Sequence, residues 1–233
     1  MARILSIETG TEICSVAFAA DGELVSLREN TEGRNHAHDL AVYMQEILEE
    51  NNLFPDDIDA VAVGAGPGSY TGLRIGVSTA KGFCYALEKP LIAVDSLLSL
   101  ANIALEEYQA GIIDIDNPET ALLIPMIDAR RMEVYTRVFD MRLNPLTDTE
   151  AMIITSESFA EYASREMLIF GNGAAKSKEV ISLHMKLIQV SSSARGLVMI
   201  AEKYYNNGNF VDTAYYEPTY LKDFVATKPK KLL

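Results

Sequence analysis

Gly64-Ala65-Gly66-Pro67-Gly68-Ser69-Tyr70-Thr71-Gly72-Leu73-Arg74-Ile75-Gly76 is a glycine-dense turn set between an apolar run and a helical pattern. The run before it, Ala60-Val61-Ala62-Val63, is short, small and β-branched, as a buried strand requires. From Thr71 to Leu87 the residues Leu73, Val77, Ala80, Cys84 and Leu87 recur at three- and four-residue steps, which predicts a helix. Glycines at such a strand-to-helix turn permit positive φ and let a ligand, partner or neighbouring helix approach the backbone. The helix start also offers unpaired N–H groups to an anion.

Upstream of this turn, Arg3 to Glu8, Ile13 to Ala19 and Leu24 to Arg28 read as a three-stranded meander broken at Gly10-Thr11 and Asp21-Gly22. Leu40, Tyr43, Met44, Ile47 and Leu48 mark a helix from about His36 to Asn51. Downstream, Leu91 to Val94 is a strand, and Asp95-Ser96 start a helix striped by Leu97, Leu100, Ile103, Ala104 and Tyr108. The connector Gly111 to Glu119 then divides residues 1–110, an N-terminal unit, from a second unit, 111–233.

In that second unit Ala121 to Ile127, Met132 to Phe139, Ala151 to Ile154, Met167 to Phe170 and Leu187 to Val190 read as strands. Helices are expected from Ser156 to Tyr162, from Gly171-Asn172-Gly173 to Leu183, and from Ser193 to about Tyr205. Each unit opens with strand, acidic turn and returning strand, Ile7-Glu8-Thr9-Gly10 and then Ile127-Asp128-Ala129-Arg130, which points to two α/β lobes of related topology.

The 233 residues are 48% hydrophobic, enough for a sizeable core, and carry a formal charge of −13 from 33 acidic and 20 basic side chains. That charge repels a phosphate backbone and disfavours independent nucleic-acid binding; the basic Lys228-Pro229-Lys230-Lys231 is a local exception. No window approaches the roughly 18 apolar residues of a membrane span, and a cytoplasmic protein is expected. Cys14 and Cys84 lie far apart in apolar patterns and read as reduced core thiols.

Four kinds of chemistry compete for the remaining residues. Glu8, Thr9 and Gly10, the Gly66 to Gly72 turn, and Gly171 and Gly173 form candidate nucleotide loops, yet none contains a lysine and the spacing fits neither a Walker loop nor a dinucleotide fingerprint. His36 and His38, two apart on a helix, diverge by roughly 200° and cannot share a metal, while His184 stands alone. Ser69 lacks the nucleophile-elbow pattern and suits a helix N-cap. Finally, Leu40, Tyr43, Met44 and Ile47 on one helix, with Tyr70, Gly72, Leu73, Arg74, Gly76 and Val77 on the next, suit either core packing or a helix-helix partner surface.

Ile4-Leu5-Ser6-Ile7-Glu8-Thr9, Gly66 to Gly76 and Lys89-Pro90-Leu91-Ile92-Ala93-Val94 closely resemble the bacterial TsaB family, as do Arg34-Asn35-His36, Asp128-Ala129-Arg130 and Glu217-Pro218-Thr219-Tyr220-Leu221. The resemblance implies an actin-like, sugar-kinase-like fold of two RNase H-type lobes. It also implies a role in making threonylcarbamoyladenosine beside the anticodon of transfer RNA, as a non-catalytic subunit that pairs with its catalytic paralogue TsaD, joined by the ATPase TsaE. TsaD continues the matching segment with Asn-His, three residues and a second His, which bind its metal; here Asp95, Ser96 and Leu100 stand at those places. Serine and leucine cannot replace two imidazoles. The expectation is therefore a scaffold with vestigial nucleotide loops and no cofactor, which reaches tRNA only through the complex and self-associates when its partner is absent. The alternative is an enzyme of the same superfamily, a nucleotide-dependent kinase or a peptidase.

Overall fold

The computed structural model describes residues 2–30, 35–178 and 185–222. Arg34, His184 and Lys228 to Lys231 lie outside the described residues, as does the end of the helix expected from Gly171 to Leu183.

Strand β1 (Arg3–Glu8) pairs antiparallel with β2 (Cys14–Ala20), and β2 with β3 (Glu23–Asn30). The second hairpin turns on Asp21 and Gly22, both at positive φ (53° and 76°), the two-residue turn whose twist matches the strands. Strands β4 (Ala60–Gly64) and β5 (Leu91–Val94) add in parallel, giving the order β3-β2-β1-β4-β5. One face buries Leu5, Ile7, Val16, Val61 and Val63 under helices α1 (His36–Glu50) and α2 (Tyr70–Leu87). Both helices start within a residue of the expected positions, and Ser69 caps α2, its hydroxyl oxygen accepting from the Gly72 N–H at 3.3 Å. Glu88, at φ 52°, ends α2 in the left-handed region.

The second sheet contains β6 (Leu122–Asp128), β7 (Glu133–Thr136), β8 (Phe139–Asp140), β9 (Glu150–Ile153), β10 (Met167–Phe170) and β11 (Met185–Leu187). Read from β9, its order β9-β7-β6-β10-β11 repeats that of the first sheet, with the same antiparallel and parallel pairings.

Helix α3 (Ser96–Gln109) leaves β5 of the first sheet but buries Leu97, Leu100 and Ala101 against Leu123, Ile127 and Phe170 of the second. The chain crosses back at residue 194. A 3₁₀ turn, Ala194–Leu197, and α4 (Val198–Asn206) pack Leu197, Ile200 and Ala201 on Ile4, Ala60 and Ile92, so residues after 194 complete the first lobe although they follow the second in sequence. At the crossing, Gly196 lies so close to α3 that a Cβ would stand 2.5 Å from the Ser99 carbonyl oxygen.

Four expected elements change. The strand from Met132 to Phe139 breaks at Arg137 and Val138, because Thr147 takes Arg137 Nε on its carbonyl (2.9 Å) and the Val138 N–H on its hydroxyl (3.0 Å). The Ser156 helix shrinks to a 3₁₀ turn, Ala160–Tyr162. There Ser158 and Thr155 hydroxyls accept from the Thr155 and Glu157 N–H groups, which competes with helix formation, and Phe159 turns to φ 63° with its ring buried. After Gly173 the described residues form a 3₁₀ turn, Ala174–Ser177. The last strand lies at Met185–Leu187 rather than Leu187 to Val190, where Met185 faces Met167 and lets two partly apolar side chains meet.

Candidate functional site

The inner ends of β1, β4, β6 and β10 bring the candidate loops together. Glu8 is buried, its carboxylate accepting from the Gly10 N–H at 2.7 Å and from the Ser96 hydroxyl at 3.3 Å. Burial raises its pKa above 4.5; the bonds from Gly10, Ser96 and Thr9 oppose this, and the nearby Asp95 charge adds to it. Only a glycine fits beside it, since a Cβ on Gly64 would lie 2.3 Å from the carboxylate.

The start of α2 is docked on the β1–β2 turn. Thr9 donates its hydroxyl to the Gly72 carbonyl (2.8 Å), and the Ser69 N–H donates to the Gly10 carbonyl (2.7 Å). Cβ atoms added at Gly68, Gly72 and Gly76 would stand 2.4 Å, 2.0 Å and 2.3 Å from Gly10 O, Thr9 O and Thr9 Oγ1. Three backbone donors near the turn have partners within the chain: Gly66 N–H bonds to Ser96 Oγ, Gly72 N–H to Ser69 Oγ and Leu73 N–H to the Ser69 carbonyl. Glu8, Thr9 and Gly10 thus supply acceptors from the chain itself to this turn.

The second lobe closes its turn in the same manner. Gly171, at φ 96°, donates to the Val190 carbonyl, Gly173 donates to the Met126 carbonyl (2.9 Å), and a Cβ on Gly171 would lie 2.4 Å from that same oxygen. Between them Asn172 accepts from the Asp128 N–H at 3.0 Å and donates its amide across the cleft to Glu12. Arg137 reaches Asp95 at 3.8 Å, while Asp95 also caps α3 through the Leu97 and Leu98 N–H groups. Sequence reasoning had Asn172 inside a candidate loop but missed its contact with Glu12, and missed Arg137, since no local pattern announces a contact between lobes.

Ser96 and Leu100 are likewise interior. Leu100 is 1% exposed and would meet a Cβ on Gly171 at 2.9 Å, so it seals the joint between the lobes. His36 bonds to the Thr11 carbonyl and His38 to Asp39. Among the described residues no three His, Cys, Asp or Glu side chains converge as metal ligands. Cys14 and Cys84 are free, buried thiols with pKa values pushed up to about 11 by burial.

Most of the expected partner surface points inward, which corrects that reading of the stripes. Leu40, Met44, Ile47 and Val77 belong to the first-lobe core, Leu73 packs under the glycine turn, and Gly72 and Gly76 face Thr9. Tyr43 and Tyr70 are half-buried and Arg74 is exposed. With Ala37, Thr71, Ile75, Ser78 and Thr79, Tyr70 and Arg74 line a groove of about 510 Å³ on the outer side of α2. The signal for this face was the mixed stripe Thr71, Arg74, Ile75, Ser78 and Thr79, beside the apolar one.

Residues 29–229 match the family model described as TsaD, tRNA N6-adenosine threonylcarbamoyltransferase. The chain is 32% identical over 238 residues to the tRNA threonylcarbamoyladenosine biosynthesis protein TsaB of Escherichia coli, with 97% of each chain covered. It is 27% identical over 205 residues to TsaB of Bacillus subtilis, covering 86% of this chain and 81% of the relative. A solved structure from Pseudomonas aeruginosa, of an uncharacterized protein with similarity to peptidase YEAZ, superposes with a TM-score of 0.79 at 25% identity, over 95% of this chain and 100% of that one. With two sheets of one repeated strand order and a full-length relative of this similarity, the chain belongs to the TsaB family.

Proposed function

We propose that this protein is a non-catalytic scaffold subunit that pairs with its paralogue TsaD and activates it for threonylcarbamoyladenosine modification of tRNA beside the anticodon. The observation that carries the reading is the use of Ser96 and Leu100. Where the catalytic paralogue is expected to place metal-binding histidines, this chain has a hydroxyl bonded to Glu8 and a leucine sealing the lobes. The outer side of α2, by contrast, keeps an open groove in which Tyr70, Arg74 and Ile75 stand beside the small Thr71, Ser78 and Thr79. Pairing therefore uses Tyr70, Arg74, Thr71, Ile75 and Ser78 rather than the buried stripe. The TsaE ATPase joins the pair, tRNA is reached through the assembly in the cytoplasm, and the same face forms a homodimer when TsaD is absent.

The test is reconstitution of the modification reaction from purified TsaD, TsaE, tRNA, ATP and an activated threonylcarbamoyl donor, with and without this chain. Product should appear only with it, and Ile75→Asp or Ser78→Arg should abolish the stimulation by blocking the groove. Product formed equally well without the chain would overturn the proposal. Calorimetry with ATP and magnesium on the isolated chain separates the rival enzyme reading, which requires tight binding lost in Glu8→Ala; the scaffold reading expects little heat.

A further inference from the structure

After α4 the chain joins neither sheet but runs along the first lobe as a strap. Val211 bridges to Leu91, the Lys81 ammonium on α2 donates to the carbonyls of Ala214 (3.1 Å) and Tyr216 (2.9 Å), and the Thr219 N–H donates to the Ala65 carbonyl at 2.9 Å. The Thr219 carbonyl sits 2.9 Å from where a Cβ on Gly66 would stand, so the glycine there makes room for the strap. Lys222 then crosses to the second lobe, donating to the Ala129 carbonyl and the Glu133 carboxylate.

This path sets Tyr220 on the first turn of α2. Its ring lies 4.9 Å from that of Tyr70, and its hydroxyl accepts from Arg74 Nε at 3.2 Å. The Arg74 guanidinium carbon is 4.1 Å from the Tyr70 ring centroid. One donor and one face of the guanidinium are therefore fixed, on a residue that lines the α2 groove. Among the described residues Arg74 forms no ion pair within 4.0 Å, and the Glu217 carboxylate acts on it from farther off, in a chain with 33 acidic side chains. A fork held in place before binding loses little freedom on meeting a carboxylate, which it can engage with two parallel bonds.

We propose that Tyr220 is a positioning residue of the partner face: by clamping Arg74 against Tyr70, the strap presents the guanidinium as a preset donor pair for a carboxylate on TsaD. This rests on the reading of α2 as the pairing surface. Calorimetric titration of full-length variants with purified TsaD tests it. Tyr220→Ala and Arg74→Lys should each weaken pairing about tenfold, and the double variant should be no weaker than about twofold below either, because both remove one fork. Tyr220→Phe keeps the ring and should fall between wild type and Tyr220→Ala. In the isolated chain, the Arg74 Nε–H resonance should exchange slowly with solvent in wild type and rapidly in Tyr220→Phe, a readout independent of pairing. Additive losses in the double variant would overturn the inference. So would unchanged affinity in Tyr220→Ala while Ile75→Asp abolishes pairing, a result that leaves the pairing face standing. If Ile75→Asp also pairs normally, both readings fall.

Discussion

In the first lobe the connection from β3 to β4 carries the 15-residue α1, and that from β4 to β5 the 18-residue α2. The matching connections of the second lobe contain a three-residue 3₁₀ turn before β10 and a four-residue one after it among the described residues. The strand order is the same. What differs is how each apolar sheet face is covered. Leu40, Met44, Ile47, Val77 and Cys84 supply whole helical stripes over the first sheet, whereas Phe159, Ala174 and Ile154 reach the second from short turns. A helix that covers a sheet with one side must present its other side to something. The second lobe has no equivalent outward stripe among its described residues, which is why the proposed partner face belongs to the first.

The comparison can be broken most severely where α2 meets β1. Gly72→Val places side-chain atoms against the Thr9 carbonyl, backbone on both sides, and should destabilise the chain by about 4 kcal/mol. Urea unfolding followed by circular dichroism measures it; a loss confined to pairing, with stability intact, would restore Gly72 to the partner surface.

At the joint between the lobes, Leu100→Ala removes a fully buried side chain that belongs to the α3–second-sheet core and should cost about 3 kcal/mol. Thermal unfolding would show both lobes melting together at lower temperature. Two separated transitions in wild type would mean the lobes are not coupled through α3.

A smaller effect concerns Glu8. Its folded pKa is raised by burial above its unfolded value near 4.5, so the stability it contributes is fully present below that value and is lost as pH rises through the folded pKa. Glu8→Gln keeps an acceptor for Gly10 and removes the titration, so relative to wild type it should be close to neutral at pH 4 and the more stable protein at pH 8. The reverse trend would mean that the ionised carboxylate is what the site is built to hold.

Gly82 gives the smallest effect and the opposite sign. It lies inside α2, is exposed, and an added Cβ meets nothing within 4 Å. Gly82→Ala should stabilise by about 0.5 to 1 kcal/mol, measured by the same urea titration.

These contrasts also mark what the sequence could carry. The first sheet and its two covering helices were legible almost to the residue, because Asp21-Gly22 and Ser69 fix a turn and a cap by local chemistry. A division at residue 110, however, could not show that α3 packs on the second sheet and that residues after 194 return to the first. The second-lobe helices were not legible, since the competing hydroxyls of Thr155 and Ser158 and the turn at Phe159 act through neighbours and burial rather than periodicity. The glycine turn was recognised as close packing, but spacing alone could not say whether ligand, partner or the chain's own Thr9 and Gly10 did the packing. The apolar stripes of α1 and α2 suited both a core and a partner face, and periodicity alone could not separate the two; they form the core, while the face at Arg74 and Ile75 depends on Tyr220, 146 residues beyond Arg74.

The central claim is that the chain acts through the outside of α2 and not through its cleft. Modification of tRNA by TsaD and TsaE with three forms of this chain tests that most directly. Wild type and Glu8→Gln should stimulate equally, and Ile75→Asp should not stimulate at all. Loss of stimulation with Glu8→Gln, alongside full stimulation by Ile75→Asp, would contradict it.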